Sequence, residues 1–392
     1  MTKTSEFVKV ILATTAAITL VACSNEPVET VDVETPEAVV EQVEVSNSLQ
    51  FNPLDSMSPK SQREDALALP LQTVTLSTTD FEGTKRFYVD GMGMTLNGPF
   101  EVSAETKALQ RALWAVPDDV DWTEYSLTRP SGKVQDRGAM SIRVLVLNKE
   151  TPHVHASWDS RSYGGFSMGF PNMDNVKLDA KIRALGFTAR NEHEIYEVPR
   201  LDGSMYEIQE TIFDAPDYVH GVGITRVDMD ALGAIDAETG LGGPGYSAQV
   251  VDDSVPVLAF YTDVLGLEIR RDSIFKSAGQ DGAMSLPNGS EFRFAILAAK
   301  GYGPGGHMLF VDFKNVDGIE GNAPPRVPNR GIGMWSFPVK SLDTVMANAK
   351  TAGTNIVHEP ALIDDPIHGK IRVATFLAPN EFLVEAFEKV ES

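Results

Sequence analysis

The residues able to do chemistry in this chain are few and scattered. It holds seven histidines and one cysteine, Cys23. His153 and His155 lie two apart, so on a strand both would face one way, a spacing that suits a metal ion. Pro152 and the polar residues beyond point instead to a loop carrying solvated imidazoles. His307 follows Gly305-Gly306, and His368 stands in Pro366-Ile367-His368-Gly369. The glycine-rich run from Gly301 to Gly306 lacks the Lys-Ser/Thr that a phosphate loop needs. No HExxH pair occurs. Any chemistry must therefore be assembled in space by the fold.

Cys23 has a local context of its own. Lys3 and Lys9 precede an apolar run, Val10 to Val21, interrupted only by threonines. Spanning about 30 Å of hydrocarbon takes roughly 20 apolar residues, so this run suits the core of a signal peptide better than a membrane helix. It ends in Leu20-Val21-Ala22-Cys23, which resembles the lipobox of bacterial lipoproteins. The expectation is a signal peptide over 1–22 and a lipidated Cys23 holding the protein to a bilayer in the bacterial envelope. Ser24 rather than Asp after the cysteine fits the outer membrane. Beyond it, residues 23–68 read as an acidic tether, rich in Glu, Val, Pro and Thr before Asn47.

Of 392 residues, 42% are hydrophobic, enough for two domains after the leader. The formal charge of −22 repels phosphate backbones, which argues against a nucleic-acid partner. With Cys23 acylated no thiol would remain, so stability must come from a buried core.

That core is organised by a repeat. Leu71 to Thr78 alternates as a strand, and Asp80 caps a helix carrying Phe81, Phe87 and Tyr88 that stops near Gly93. Downstream, Tyr246 to Val251 is a strand, and Asp253 caps a helix carrying Phe260 and Tyr261 that stops at Gly266. Asp80-Phe87-Tyr88-Asp90-Gly93 and Asp253-Phe260-Tyr261-Asp263-Gly266 keep identical spacings. A second matching pair follows. Gly165 to Phe170 and Gly333 to Val339 are strands, each followed by a helix ending at Gly186 or Gly353 and then by further strands.

This pattern resembles the vicinal oxygen chelate superfamily, which includes glyoxalase I, extradiol dioxygenases and bleomycin-binding proteins. Its signature appears here as FYVDGMGM and FYTDVLGL, and its closing motif as LDGSMYEIQE and LAPNEFLVEAFE. The resemblance implies an α+β fold of four βαβββ modules, paired into two domains with curled mixed sheets and outer helices. The expected boundaries are 69–215 for the first domain, 216–242 for a connection and 243–392 for the second.

In metal-dependent members, His or Gln on a module's first strand and Glu on its last hold a divalent ion. Carried onto this chain, the carboxylates are Glu207 and Glu385, but the first-strand positions are Thr73, Gly165, Tyr246 and Met334. No tightly held cofactor is therefore expected; Glu207 and Glu385 are the ligands if a divalent metal binds at all. His368 falls near the family's cavity-mouth loop, with Arg372 beyond it. His368 and Tyr246 are the catalytic candidates, and Thr73, Glu207, Met334, Glu385 and Arg372 the ligand-binding ones. The reading is an envelope protein that binds a small organic molecule, with or without transforming it. A divergent metal-dependent dioxygenase or lyase is the alternative. A scaffold with a plugged cavity is a third reading, and Trp114 and Trp335 are the residues large enough to plug it.

Overall fold

Four helix caps set the frame. The side chains of Asp80, Asp174, Asp253 and Ser341 each accept a backbone N–H from the first turn of the helix that follows. Each cap follows a strand and opens one module. The first module holds β1 (Thr73–Thr78), α1 (Phe81–Lys85), β2 (Thr95–Asn97), α2 (Ala104–Leu113), β3 (Trp122–Thr128) and β4 (Ser141–Leu147). The second holds β5 (Gly164–Pro171), α3 (Asn175–Ala184), β6 (Glu194–Pro199), β7 (Met205–Asp214) and β8 (His220–Val227). The third holds β9 (Tyr246–Val250), α4 (Ser254–Ala259), β10 (Glu268–Ser277), β11 (Glu291–Ala298) and β12 (His307–Phe313). The fourth holds β13 (Gly331–Pro338), α5 (Leu342–Thr351), β14 (Asn355–Asp365), β15 (Gly369–Leu377) and β16 (Leu383–Lys389). The computed structural model describes residues 7–9, 41–43, 49–53, 66–129, 140–191, 194–199, 204–227, 233–277, 284–302 and 305–390.

Within every module the first strand lies parallel to the last, β1 to β4, β5 to β8, β9 to β12 and β13 to β16. The modules join through their first strands, and not in sequence order. β1 runs antiparallel to β13, and β5 antiparallel to β9. The first sheet thus combines modules one and four, and the second combines modules two and three. This differs from domains drawn at 69–215 and 243–392, because strand pairing between modules is a long-range choice that local periodicity does not encode. Among the described residues, the bridge from Ile332 to Gly165 links the two sheets.

The helices pack on one face of each sheet, and their aromatics build the main core. Phe87 and Tyr88 meet edge to face at 4.9 Å, as Phe260 and Tyr261 do at 5.0 Å, and all four are buried. The repeat read from the sequence is thus a repeat of helix-to-sheet anchors. Both helices finish as π-helical turns over Arg86–Gly91 and Phe260–Val264.

Two segments differ from expectation. Residues 216–242 are not only a connection, since His220–Val227 is β8, the closing strand of module two. Its glycines hide the alternation. A Cβ at Gly221 would meet the Phe87 ring at 2.5 Å, so glycine lets α1 approach the sheet closely. The stretch 23–68 also contains structure. Leu49–Pro53 pairs with β10 at the sheet edge, and its alternation of Leu49 and Phe51 with Gln50 and Asn52 is that of a strand. Ala68 is buried, and its N–H donates to the Leu265 carbonyl at 2.9 Å. By contact the chain divides into Met1–Ser46 and Asn47–Ser392, and in the former Phe7–Lys9 pairs with Glu41–Val43. Cys23 and the run before it lie outside the described residues.

Candidate ligand-binding cavity

The face of each sheet turned away from the helices curls around an interior. Strand alternation decides which residues enter it. Seven positions before the caps stand Thr73, Ser167, Tyr246 and Met334, and these share that inward face. The sequence reading placed Gly165 in this set; α3 begins at Asn175, so Ser167 takes the place. Gly165 instead packs on Ile332, where a Cβ would lie 2.6 Å from the Ile332 Cβ. On the closing strands, register sets Arg143 beside Thr75, Val222 beside Gly169, Leu309 beside Ala248 and Glu385 beside Ser336. Those four are the equivalent last-strand positions.

The first sheet's interior is filled. α2, capped by Ser103, interrupts the first module and delivers Trp114 into the sheet. The Trp114 indole donates to Glu385 at 3.0 Å. Opposite Glu385, the fully buried Arg143 guanidinium meets Glu124 at 3.1 Å, Asp365 at 2.7 Å and Glu385 at 4.0 Å. Gln110 donates to the second Glu124 oxygen at 3.0 Å. Burial pushes Glu124 and Glu385 above the ordinary carboxylate range, although Arg143 opposes it. Burial works the same way on Asp365, but Arg143, His368 and the N–H groups of His368 and Ile367 outweigh it and hold this group low. Asp365 is thus the ionised partner of the guanidinium.

His368 belongs to this interior and not to an open mouth. Its ring stacks on Phe387 at 4.3 Å, and its Nε2 lies 3.4 Å from the Thr73 hydroxyl. Burial, with Arg143 second, brings its pKa down to about 3. Met334 is buried in the same cluster. Trp335, one residue on, faces the helix layer and packs on Tyr261, Phe310 and Phe382.

The second sheet encloses a cavity of about 150 Å³, walled by Phe166, Tyr206, Phe275, Phe292 and Phe294. A cavity of that size takes one aromatic ring. Tyr246 is here, stacked on His307 at 5.4 Å. Its ring lies over Gly169, where a Cβ would come within 1.9 Å, so only glycine admits it. Burial raises the Tyr246 pKa well above its usual value, and burial, with Arg226 and Arg270, lowers His307 to about 3. The Tyr196 hydroxyl donates to Glu210 at 2.5 Å, and Arg226 and Arg271 also line the space.

The structure therefore separates the two catalytic candidates. Tyr246 lines the second interior, and His368 is sealed in the first. Two other candidates leave both interiors. Glu207 lies on β7 rather than on a closing strand, between cavity-facing Tyr206 and Ile208, and it accepts from Gln209 at 3.0 Å. Arg372 alternates out of the first sheet and pairs with exposed Asp343 at 2.6 Å. His155 is buried rather than solvated: its Nε2 donates to the Gly165 carbonyl at 2.8 Å, and burial lowers its pKa to about 4.

These donor sets test the metal that the resemblance implies. The first sheet offers Thr73, Met334, Arg143 and Glu385, and the second offers Ser167, Tyr246, Val222 and Leu309. Neither contains an imidazole, and the one carboxylate faces a guanidinium that repels a cation. These residues do not fit a divalent ion.

The whole arrangement, four βαβββ modules paired into two curled sheets, is the vicinal oxygen chelate fold. Glyoxalase I from Zea mays is similar in structure, with a TM-score of 0.52 and 15% identity over 81% of this chain and 92% of that one. A Bacillus subtilis protein described as a candidate dioxygenase gives 0.50 and 10% identity over 84% and 87%. No family model matches the sequence, and no curated protein does.

Proposed function

We propose that this chain binds a small organic molecule, without a tightly held metal, in the cavity of the second sheet. The supporting observation is the contrast between the two interiors. One is filled by Trp114 and an ion network, and the other keeps about 150 Å³ among aromatic walls. Glu210 with Tyr196, Tyr246 with His307, and the guanidiniums of Arg226 and Arg271 are among the polar groups that would face a bound molecule. Nothing in either donor set favours the metal-dependent alternative.

Filling the cavity tests this. Leu309→Trp should abolish binding of benzene-sized ligands, at least tenfold in Kd by calorimetry, with the melting temperature kept within a few degrees. Undiminished binding by the folded variant would refute the site.

The envelope location is part of the same proposal and rests on Leu20-Val21-Ala22-Cys23. Cys23→Ser should shift the protein from the membrane pellet to the soluble fraction. A variant that still sediments with membranes would count against the anchor.

A further inference from the structure

The second cavity carries a charge that the described residues leave unanswered. Arg226 projects from β8 into the space, with its guanidinium 5.6 Å from the Tyr206 ring. Its Nε is buried without a hydrogen-bond partner, and no carboxylate among the described residues lies within ion-pair distance of it. Two other guanidiniums in this protein are compensated by carboxylates. Arg143 is ringed by three carboxylates, and Arg293 meets Asp272 through two bonds at 2.7 and 2.6 Å. The cavity makes matters worse for Arg226, because Arg271 enters from β10 with a like charge. The carboxylate that does line the cavity, Glu210, takes the Tyr196 hydroxyl.

Desolvating an ion is costly unless an opposite charge or hydrogen bonds compensate. A guanidinium also presents a planar fork of donors that fits a carboxylate with two parallel bonds. Aromatic walls on the remaining sides favour a ring and exclude water. Given the cavity proposed above as the binding site, we infer that its ligand is an aromatic monocarboxylate, seated with its anion on Arg226 and its ring among Phe275, Phe292 and Phe294.

Calorimetry with benzoate, benzamide and benzylammonium separates the outcomes, since the three share a ring and differ in charge. Benzoate should bind at least tenfold more tightly than benzamide, and benzylammonium least. Arg226→Met should erase the preference for benzoate while leaving benzamide affinity within about twofold. Arg226→Lys, which keeps the charge but not the fork, should retain part of that preference. Equal affinities for benzoate and benzamide in the parent would overturn the anion inference but leave the cavity intact. So would a preference surviving in Arg226→Met, or tighter benzylammonium binding through Glu210. Failure of all three probes to bind would instead overturn the cavity reading, and this inference with it.

Discussion

Replacing Arg143 by Met should destabilise the protein by about 3–5 kcal/mol at neutral pH, the usual cost of removing one partner from a buried ion network. The melting temperature should fall on the order of 10 °C. The side chain is replaced by one of similar length, so the loss is electrostatic rather than a cavity effect. Without the guanidinium, Asp365 has no counter-charge in an interior it shares with Glu124 and Glu385. Those carboxylates must then take up protons to stay buried. A folded pKa raised above the unfolded one gives stability below the unfolded value that is lost as pH rises. The deficit of Arg143→Met should therefore be smaller at pH 5 than at pH 7. Adding Glu124→Gln, Asp365→Asn and Glu385→Gln to the variant should restore most of the loss, because no carboxylate of the network is then left buried. Urea unfolding at both pH values checks this, and a deficit under 1 kcal/mol at pH 7 would show that the network contributes nothing.

Arg143 also shows how much of the site could be read from the sequence. It stands in Ser141-Ile142-Arg143-Val144-Leu145, an apolar strand broken by one cation, a pattern that calls for a buried counter-charge. The pattern tells that a partner exists and not where. Asp365 is 222 residues away, and only the β1–β13 pairing brings it near. Helix caps and the Phe-Tyr repeat are local in sequence, so the modules were legible. Glu207 was placed on a closing strand because the glycines of β8 mask its alternation, and with β8 unread the module ended one strand early. The α2 insertion left a fair signal in Ser103, Leu109 and Leu113, a capped and half-apolar helix, yet its destination inside the sheet depends on tertiary structure. Arg226 follows two residues after Ile224 on the same parity as Val222, so its inward direction could be inferred once β8 is known.

Acidification should unfold this protein through its histidines. His155, His307 and His368 are buried with pKa values lowered to about 4, 3 and 3, each chiefly by burial, and burial lowers His220 as well. In the unfolded chain each would titrate near its ordinary value of about 6.5. Between that value and the folded one, the unfolded state carries the proton and the native state does not. Stability from these groups is thus fully present above about pH 6.5 and falls as pH drops, by about 1.4 kcal/mol per pH unit for each histidine. Glu124 and Glu385 act in the opposite sense, since their raised folded values favour the native state as protons bind. The three histidines at about 4, 3 and 3 set against two carboxylates leave a net uptake of at least one proton on unfolding, or about 1.4 kcal/mol lost per pH unit, and His220 adds to it in the same direction. Urea midpoints measured from pH 6.5 down to 4.5 should follow that slope. His307→Phe keeps the ring stacked on Tyr246 and removes one titrating group. The slope should then flatten by about 1.4 kcal/mol per pH unit, while stability at pH 7 changes little. An unchanged slope in His307→Phe, or stability that rises between pH 6.5 and 5, would show that these imidazoles are not buried as neutral groups.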